Sequence, residues 1–213
     1  MLDSVINPVP RQVIGTQPDS LADILREDVN LAVWRRELST ELQHMVSRLL
    51  AGDRPINEVL VLQAHTTGTF NAPSLPAAWS QLDSFAALRD DLQWLVEAFA
   101  CLLSAQRIGL RLRRLDTPMC PRSHVDQVAV RLICTYAGTA SEWLTEGCMA
   151  RHLLGQATAE PSDPRQIHAL QAGDVALAKG ERWLGNQGRG LVHRSPTPEN
   201  GQSRLLLTLD WLA

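Results

Sequence analysis

Two histidines and an aspartate have the residue types and the spacing to hold a metal ion. His124 and Asp126 are two positions apart, and His193 follows in a separate segment. Side chains two positions apart on a strand project to the same face, so His124 and Asp126 can point at one atom while a distant strand supplies the third ligand. Two neutral imidazoles and one carboxylate on one face of an octahedral iron(II) ion leave the opposite face open for reactants. The sequence therefore predicts a catalytic mononuclear iron site.

An arginine beyond His193 is placed to bind an anionic ligand beside that metal. Arg204 opens the apolar segment 204–210, which follows a turn rich in Pro, Asn and Gly. If the last two strands pair across this turn, the guanidinium lies inside the fold near the metal, where it can hold a carboxylate through two parallel hydrogen bonds. Taken alone, each of these residues has an ordinary structural interpretation. Their joint order favours the metal site.

The same residues resemble the pattern of the iron(II)/2-oxoglutarate-dependent dioxygenase superfamily, which is His-x-Asp/Glu, a distal histidine and then a basic residue. The chain as a whole resembles a bacterial family called domain of unknown function 1826. That second resemblance rests on the segments NLAVWR, HVDQVAVRL, EWL, GLVHRSP and RLLLTLD, at positions 30–35, 124–132, 142–144, 190–196 and 204–210.

The superfamily resemblance implies a role for each of these residues. His124, Asp126 and His193 would be the iron ligands, and Arg204 would bind the C5 carboxylate of 2-oxoglutarate. The implied reaction couples decarboxylation of this cosubstrate to succinate with oxidation of a C–H bond in a second substrate. Many relatives place a serine two residues after the arginine, where this chain has Leu206.

Three further side chains are candidate ligands of the cosubstrate. Thr208 shares the strand face of Arg204, and Tyr136 shares the parity of His124, so either hydroxyl is a candidate replacement for the missing serine. Arg131 interrupts the apolar segment 128–133. An unpaired buried cation is costly, so Arg131 either faces solvent or holds an anion, and the second case makes it a cosubstrate or substrate contact.

A zinc site competes for the same region. Cys120 with His124, and Cys148 with His152, form two Cys-x3-His pairs that could together bind tetrahedral zinc. Such a site would indicate a non-enzymatic metal-binding or metal-homeostasis protein with the same β-barrel fold, which is predicted below. The iron and zinc sites share His124, so both cannot be complete. A barrel that binds a ligand and leaves its metal site unused is a third possibility.

Hydrophobic periodicity divides the chain into two halves. Residues 1–104 are expected to be mainly helical, with amphipathic stretches at 20–25, 42–50 and 84–104 and short strand candidates at 30–35 and 59–64. After residue 105, β-branched and alternating segments are separated by glycine and proline. The sequence predicts a single α+β domain of residues 1–213, with a jelly-roll (double-stranded β-helix) core over 105–213 and an α-helical N-terminal half packed on one sheet.

Composition excludes several other classes of protein. Lys and Arg number 20 and Asp and Glu 23 among 213 residues, so a net charge of −3 makes nucleic acid an unfavourable partner. No apolar run reaches the roughly 18 residues that span a bilayer, and residues 1–8 have no leader pattern, so we expect a soluble cytoplasmic protein without membrane contact. The four cysteines lack a Cys-x-x-Cys pair and are expected to be reduced thiols.

Phosphate-loop, dinucleotide-binding and nucleophile-elbow motifs are absent from the sequence. The expected ligands are therefore iron(II), a small-molecule cosubstrate and a primary substrate of unknown identity. The loops 66–76, 120–123 and 181–189 are the expected determinants of specificity. The sequence leaves the primary substrate and the oligomeric state open.

Overall fold

Ten strands and two α-helices make up the structure, a computed structural model that describes residues 9–65, 69–157, 159–198 and 202–212. In chain order they are β1 (Arg11–Gly15), β2 (Val29–Trp34), α1 (Thr40–Ala51), β3 (Asn57–Gln63), α2 (Phe85–Leu103), β4 (Arg107–Leu115), β5 (Val130–Ala137), β6 (Glu142–Leu144), β7 (Ile167–Ala169), β8 (Val175–Lys179), β9 (His193–Arg194) and β10 (Arg204–Leu212). The protein is thus a mixed α+β structure, as the sequence predicts.

The strands form two sheets. The larger has the order β1-β2-β8-β5-β10-β4-β3, and the smaller has the order β7-β6-β9. Among the described strands, the β1–β2 pair is parallel and the other pairs are antiparallel. Strand β10 lies inside the large sheet, because β4 and β5 pair with its two edges.

Alternation along the strands of the large sheet gives it two different apolar faces. One face packs against α1 and α2 in the main core, where Leu112, Leu132 and Leu207 are buried. The opposite face buries Ile133 and Leu206 against residues of the smaller sheet region. Burying a leucine or isoleucine side chain contributes about 1.5–3 kcal/mol, so both faces of the large sheet stabilise the fold. The site described below lies on the second face.

Both α-helices form where the sequence predicts them. Helix α1 begins after Ser39, whose side chain accepts a hydrogen bond from the Leu42 N–H at 3.2 Å, and ends before Gly52. Helix α2 buries the residues that recur at helical spacing on its apolar face: Leu88, Leu92, Leu95, Val96, Phe99 and Leu103. These helices cover the sheet face opposite the site.

The prediction of a mainly helical N-terminal half is wrong. Strands β1, β2 and β3 all come from that half, and they form both edges of the large sheet. The predicted helical segment 20–25 lies in a 3-10 helix, Pro18–Leu25. The strand candidates at 30–35 and 59–64 coincide with β2 and β3. Of the three, β1 has no strand candidate in the sequence; it is stabilised by pairing with β2, which its own local pattern does not indicate.

Parts of three earlier expectations fall on residues outside those described. The first eight residues, in which the sequence has no leader pattern, are among them, as are residues 66–68 of the predicted specificity loop 66–76 and the last residue of the predicted domain, residue 213. Within the described ranges, no helix is both long and apolar enough to cross a membrane.

Candidate functional site

The predicted metal ligands lie together on the site face of the large sheet. The His193 Nε2 atom is 3.4 Å from Asp126 Oδ2, and the His124 Nε2 atom is 3.8 Å from Asp126 Oδ1. One candidate ligand atom from each side chain lies within 4.8 Å of the other two. Ligand atoms about 2.1 Å from one ion at right angles would be about 3 Å apart, so small side-chain movements suffice to bind a metal.

A loop, and not one strand, positions His124 and Asp126. The backbones of His124 and His193 exchange two hydrogen bonds of 3.0 Å, which form an isolated bridge outside the named strands. The carbonyl of Asp126, which lies outside any strand, accepts a hydrogen bond of 3.0 Å from the Glu181 N–H. A Cβ atom at Gly180 would lie 2.5 Å from that carbonyl oxygen, so a glycine is needed where these two segments pack together. The predicted strand geometry was therefore wrong, although the three ligands do converge.

Backbone carbonyls fix the orientation of both imidazoles. The Nδ1 atom of His124 is 2.9 Å from the Arg122 carbonyl oxygen, and that of His193 is 3.2 Å from the Leu191 carbonyl oxygen. A carbonyl only accepts, so each Nδ1 carries the proton and each Nε2 presents its lone pair. Burial lowers the pKa of His193, which favours the neutral, ligating form. This donor set fits a divalent metal.

Arg131 joins the Asp126 carboxylate to a second acid. Its Nη1 donates to Asp126 Oδ2 at 2.8 Å, while its Nε and Nη2 donate to the two oxygens of Asp210 at 2.6 and 3.1 Å. Arg111 also forms an ion pair with Asp210. The anions that Arg131 contacts here belong to the protein and orient a candidate ligand. Its predicted contact with a cosubstrate or substrate stays a prediction.

Arg204 is fully buried, and its partners are neutral. Its Nη1 donates to Ser195 Oγ at 2.7 Å, and its Nη2 donates to Thr135 Oγ1 at 3.2 Å and to Ser141 Oγ at 3.1 Å. The Nε atom is buried without a hydrogen-bond partner. Burial lowers the pKa of Arg204 to about 10, and across the described ranges no carboxylate contacts its guanidinium. A carboxylate ligand would supply the missing charge and the missing acceptor, so the residues fit one.

The route by which Arg204 reaches the site differs from the predicted one. Strand β9, which contains His193, belongs to the smaller sheet, whereas β10 pairs with β4 and β5 in the larger sheet. The two strands do not pair across the turn between them. Arg204 is connected to the site instead through Ser195, which follows β9 and accepts a hydrogen bond from its guanidinium.

The two hydroxyls predicted to replace the missing serine have different locations. Thr208 lies on the site face and lines the cavity beside the triad, as its parity with Arg204 implies. Tyr136 is in the main core, on the helix side of the sheet, and its hydroxyl donates to Asp91 at 2.7 Å. The structure therefore does not bring Tyr136 to the site. The prediction assumes that side chains alternate between two faces from His124 to Tyr136, but residues 125–129 do not form a strand.

Sequence reasoning missed the three hydroxyl partners of Arg204. Thr135 is on the site face of β5 because it shares the parity of Arg131, which was the available signal. Ser195 lies in the quoted GLVHRSP segment but was given no role. Ser141 follows β5 in a connection, and nothing in its local sequence indicates this contact.

The predicted zinc site is not supported. Throughout the described residues, the one group of three or more His, Cys, Asp or Glu side chains close enough to share an ion is the triad. Cys120 is exposed and lines the triad's cavity, whereas Cys148 and His152 join no such group. The residues that line this cavity are Met119, Cys120, His124, Asp126, Arg131, Ile133, Ser141, His193, Arg194, Ser195, Leu206 and Thr208.

Comparisons with known proteins identify a family and a fold. The profile of the family described as "Protein of unknown function (DUF1826)" matches residues 15–210. No curated protein matches the chain. A homologue of bsmA from Methylobium petroleophilum PM1 has a similar structure, with a TM-score of 0.52 and 16% identity, and the match covers 95% of each chain.

A plant enzyme is also similar in structure. Dioxygenase for auxin oxidation 1 from Arabidopsis thaliana, solved as a binary complex with 2-oxoglutarate, has a TM-score of 0.51 and 11% identity, and the match covers 97% of this chain and 93% of that one. At these identities the two structures indicate a common fold and nothing finer. The chain thus shares a fold with a dioxygenase whose structure was solved with 2-oxoglutarate.

Proposed function

The chain belongs to the family described as "Protein of unknown function (DUF1826)", and on that premise we propose that it is a non-haem iron(II)/2-oxoglutarate-dependent oxygenase or hydroxylase. We assign it a double-stranded β-helix that is part of a single domain spanning residues 1–213. The observation that carries the proposal is one cavity that combines a His-Asp-His ligand set with the hydroxyls that hold a buried arginine lacking a carboxylate partner.

In this proposal the two imidazoles and the carboxylate hold iron(II) on one face. The lone pairs of His124 Nε2 and His193 Nε2 are available because both Nδ1 atoms bond to carbonyls. Arg131 donates a hydrogen bond to one oxygen of Asp126 and so orients that carboxylate. When bound, the iron and its cosubstrate supply the oxidising power that the side chains of a protein lack.

Arg204 binds the distal carboxylate of 2-oxoglutarate. Its Nη atoms are held by hydroxyls from three segments, and its Nε N–H is left for the ligand. Burial excludes water, which strengthens the attraction between the guanidinium and a carboxylate. Since Ser141 and Ser195 also line the triad's cavity, this contact orients the cosubstrate with its 2-oxo acid end toward the metal.

The test is iron binding and turnover by purified protein. Anaerobic iron(II) with 2-oxoglutarate should give a visible charge-transfer absorption, and oxygen should then yield succinate even without a primary substrate. We expect His124→Ala to abolish iron binding and succinate formation, whereas Cys120→Ala retains both. Folded wild-type protein that binds neither iron nor 2-oxoglutarate would contradict the proposal.

A further inference from the structure

A second guanidinium lies on the site face beside the cavity. Arg113 on β4 is directly opposite Leu206 on β10, and Leu206 lines the triad's cavity. Directly opposite residues of an antiparallel pair project to the same face with Cβ atoms about 4.5–5.5 Å apart. The Arg113 Nη1 atom is also 3.5 Å from the sulfur of Met119, which lines the cavity as well. Arg113 therefore borders the cavity from the β4 side.

The hydrogen-bonding capacity of Arg113 is largely unused. Its Nε N–H is buried without an acceptor, and its one hydrogen-bond partner among the described residues is the weakly accepting thioether of Met119. Across the described ranges no carboxylate contacts this guanidinium. A buried donor without an acceptor is costly, and an anionic ligand would supply both an acceptor and the opposite charge.

Three arginines near the cavity, Arg111, Arg131 and Arg194, already have acidic partners. Arg131 bonds to Asp126 and Asp210, and Arg111 also pairs with Asp210. Arg194 bonds to two glutamates. Arg113 thus differs from its neighbours in the same way as Arg204 does, except that it is half-exposed where Arg204 is fully buried.

A polar side chain, that of Asn57, lies beside Arg113. Asn57 on the edge strand β3 is directly opposite Arg113, so its exposed amide projects to the same face and can add a donor for the same ligand. Because β3 is at the edge of the sheet, this side of the cavity is reached from solvent.

We propose that Arg113, assisted by Asn57, binds an anionic group of the primary substrate, a carboxylate or a phosphate, and so orients that substrate beside the metal. This inference rests on the proposed function, because it assigns the deeper cation, Arg204, to the cosubstrate. The deeper guanidinium, that of Arg204, then binds the cosubstrate, and the shallower one, that of Arg113, binds the primary substrate. A neutral primary substrate would leave Arg113 without a partner.

The test measures how closely a small anion approaches the metal. Protein loaded with manganese(II) and 2-oxoglutarate is titrated with inorganic phosphate, and the paramagnetic relaxation of its phosphorus nucleus is recorded; acetate, followed through its carbon nuclei, is the carboxylate probe. Loss of hydrogen bonds to a charged group weakens binding by about 10- to 100-fold, so we expect Arg113→Gln to lower the apparent affinity of at least one probe to that extent. The probe that responds identifies which anion the site prefers.

Arg107→Gln is the matched control. It removes the same charge from the same face of β4, six positions and about 20 Å away, and should leave the relaxation unchanged. Equal relaxation in wild type and Arg113→Gln, or none in wild type, would overturn the inference. So would a loss of 2-oxoglutarate affinity in Arg113→Gln, since that would place the residue in the cosubstrate site.

An experiment without metal distinguishes failure of this inference from failure of the proposed function. The Arg204→Met variant lacks the deeper cation. In that variant, broadening of the phosphorus resonance of inorganic phosphate on binding reports on the Arg113 site alone. If wild-type protein fails to bind manganese while this broadening still depends on Arg113, the proposed function fails and the anion site stands. Broadening that is independent of Arg113 would overturn the anion site whatever the metal does.

Discussion

Two arginines on opposite faces of the large sheet, Arg36 largely buried and Arg204 fully buried, differ in the partners of their guanidinium groups. On the helix face, Arg36 binds both oxygens of Asp91 on α2 at 2.5 and 3.0 Å, and Tyr136 donates to the same carboxylate. On the site face, Arg204 contacts three hydroxyls and, within the described ranges, no acid. Both cations are costly to bury, but only Arg36 has its counterion built into the fold.

The difference separates a structural cation from one prepared for a ligand. The Arg36–Asp91 pair joins the chain after β2 to α2 and holds the helix on the sheet. A permanent acid beside Arg204 would do the same for stability but would compete with any external carboxylate. The hydroxyls hold the Arg204 fork in place without neutralising its charge, which is what recognition of an anion requires.

The largest effect is expected from breaking the structural pair. Asp91→Asn leaves the Arg36 cation without its counterion, and breaking a buried ion pair from one side costs about 3–5 kcal/mol. Urea unfolding should show this loss in the free energy of unfolding. The adjacent Asp90→Asn, at an exposed carboxylate paired only with Arg89, is the control and should change stability by less than about 1 kcal/mol. Equal effects of the two substitutions would show that the Arg36–Asp91 pair is unimportant.

The opposite result is expected on the site face. Arg204→Met removes a buried cation that has no counterion, so the ligand-free protein should be as stable as wild type or more stable. The same substitution should weaken 2-oxoglutarate binding by about 2–5 kcal/mol, measured by calorimetry with manganese(II). In wild type, 2-oxoglutarate at 100 times its Kd should add about 2.7 kcal/mol to the unfolding free energy. A ligand-free Arg204→Met protein that is strongly destabilised would make Arg204 a structural residue like Arg36.

A third buried cation tests the cost of burial directly. Lys179 is 1% exposed, and its Nζ donates to the Arg26 carbonyl at 2.6 Å. Burial, reinforced by the charge of Arg189 and opposed by Asp28 and Glu27, lowers the pKa of Lys179 from 10.5 to about 8. Between these two values the unfolded chain binds more protons, so the free energy of unfolding should rise with pH, by up to about 3 kcal/mol.

The comparison with Lys179→Met isolates this contribution. The wild-type protein should gain stability relative to the variant between pH 8 and 10.5, the range set by the two pKa values. Burial also raises the pKa of Cys134 to about 12, which favours unfolding at high pH, but that contribution is common to both proteins and cancels. Parallel stability profiles would show that Lys179 is not desolvated.

The cluster of candidate ligands could be predicted from the sequence because it depends on residue type and order. His124, Asp126 and His193 do line one cavity, although only His193 is in a strand. Their detailed positions depend on the pairing of β9 and β10 with different sheets. That pairing is a long-range property, so the predicted hairpin was wrong, although Ser195 after β9 still bonds to Arg204 on β10.

The errors about the sheet face of Tyr136 and about the edge strands have one physical origin, which is that both depend on how distant strands pair. Tyr136 was counted from His124 across the non-strand residues 125–129, and a single irregular step reverses the face. The register of β5 against β10 also shifts at Leu205, so the alternation there is interrupted a second time. Strand β1 was missed, and β3 was predicted as a strand without its place at the sheet edge, which depends on pairing with β4 more than 40 residues later.

The smallest effect should come from the hydroxyls that hold Arg204. Ser141→Ala removes one acceptor from a buried charged donor, which should cost the ligand-free protein about 1.5–3 kcal/mol. In the Arg204→Met background the same substitution should cost little, since the donor is gone, so a double-mutant cycle should give a coupling of about 1 kcal/mol or more. Ser123→Ala is the matched control, because that serine is equally buried and its hydroxyl has no hydrogen-bond partner. Additive effects of Ser141→Ala and Arg204→Met would mean that the hydroxyl stabilises its own loop and does not orient the guanidinium for a ligand.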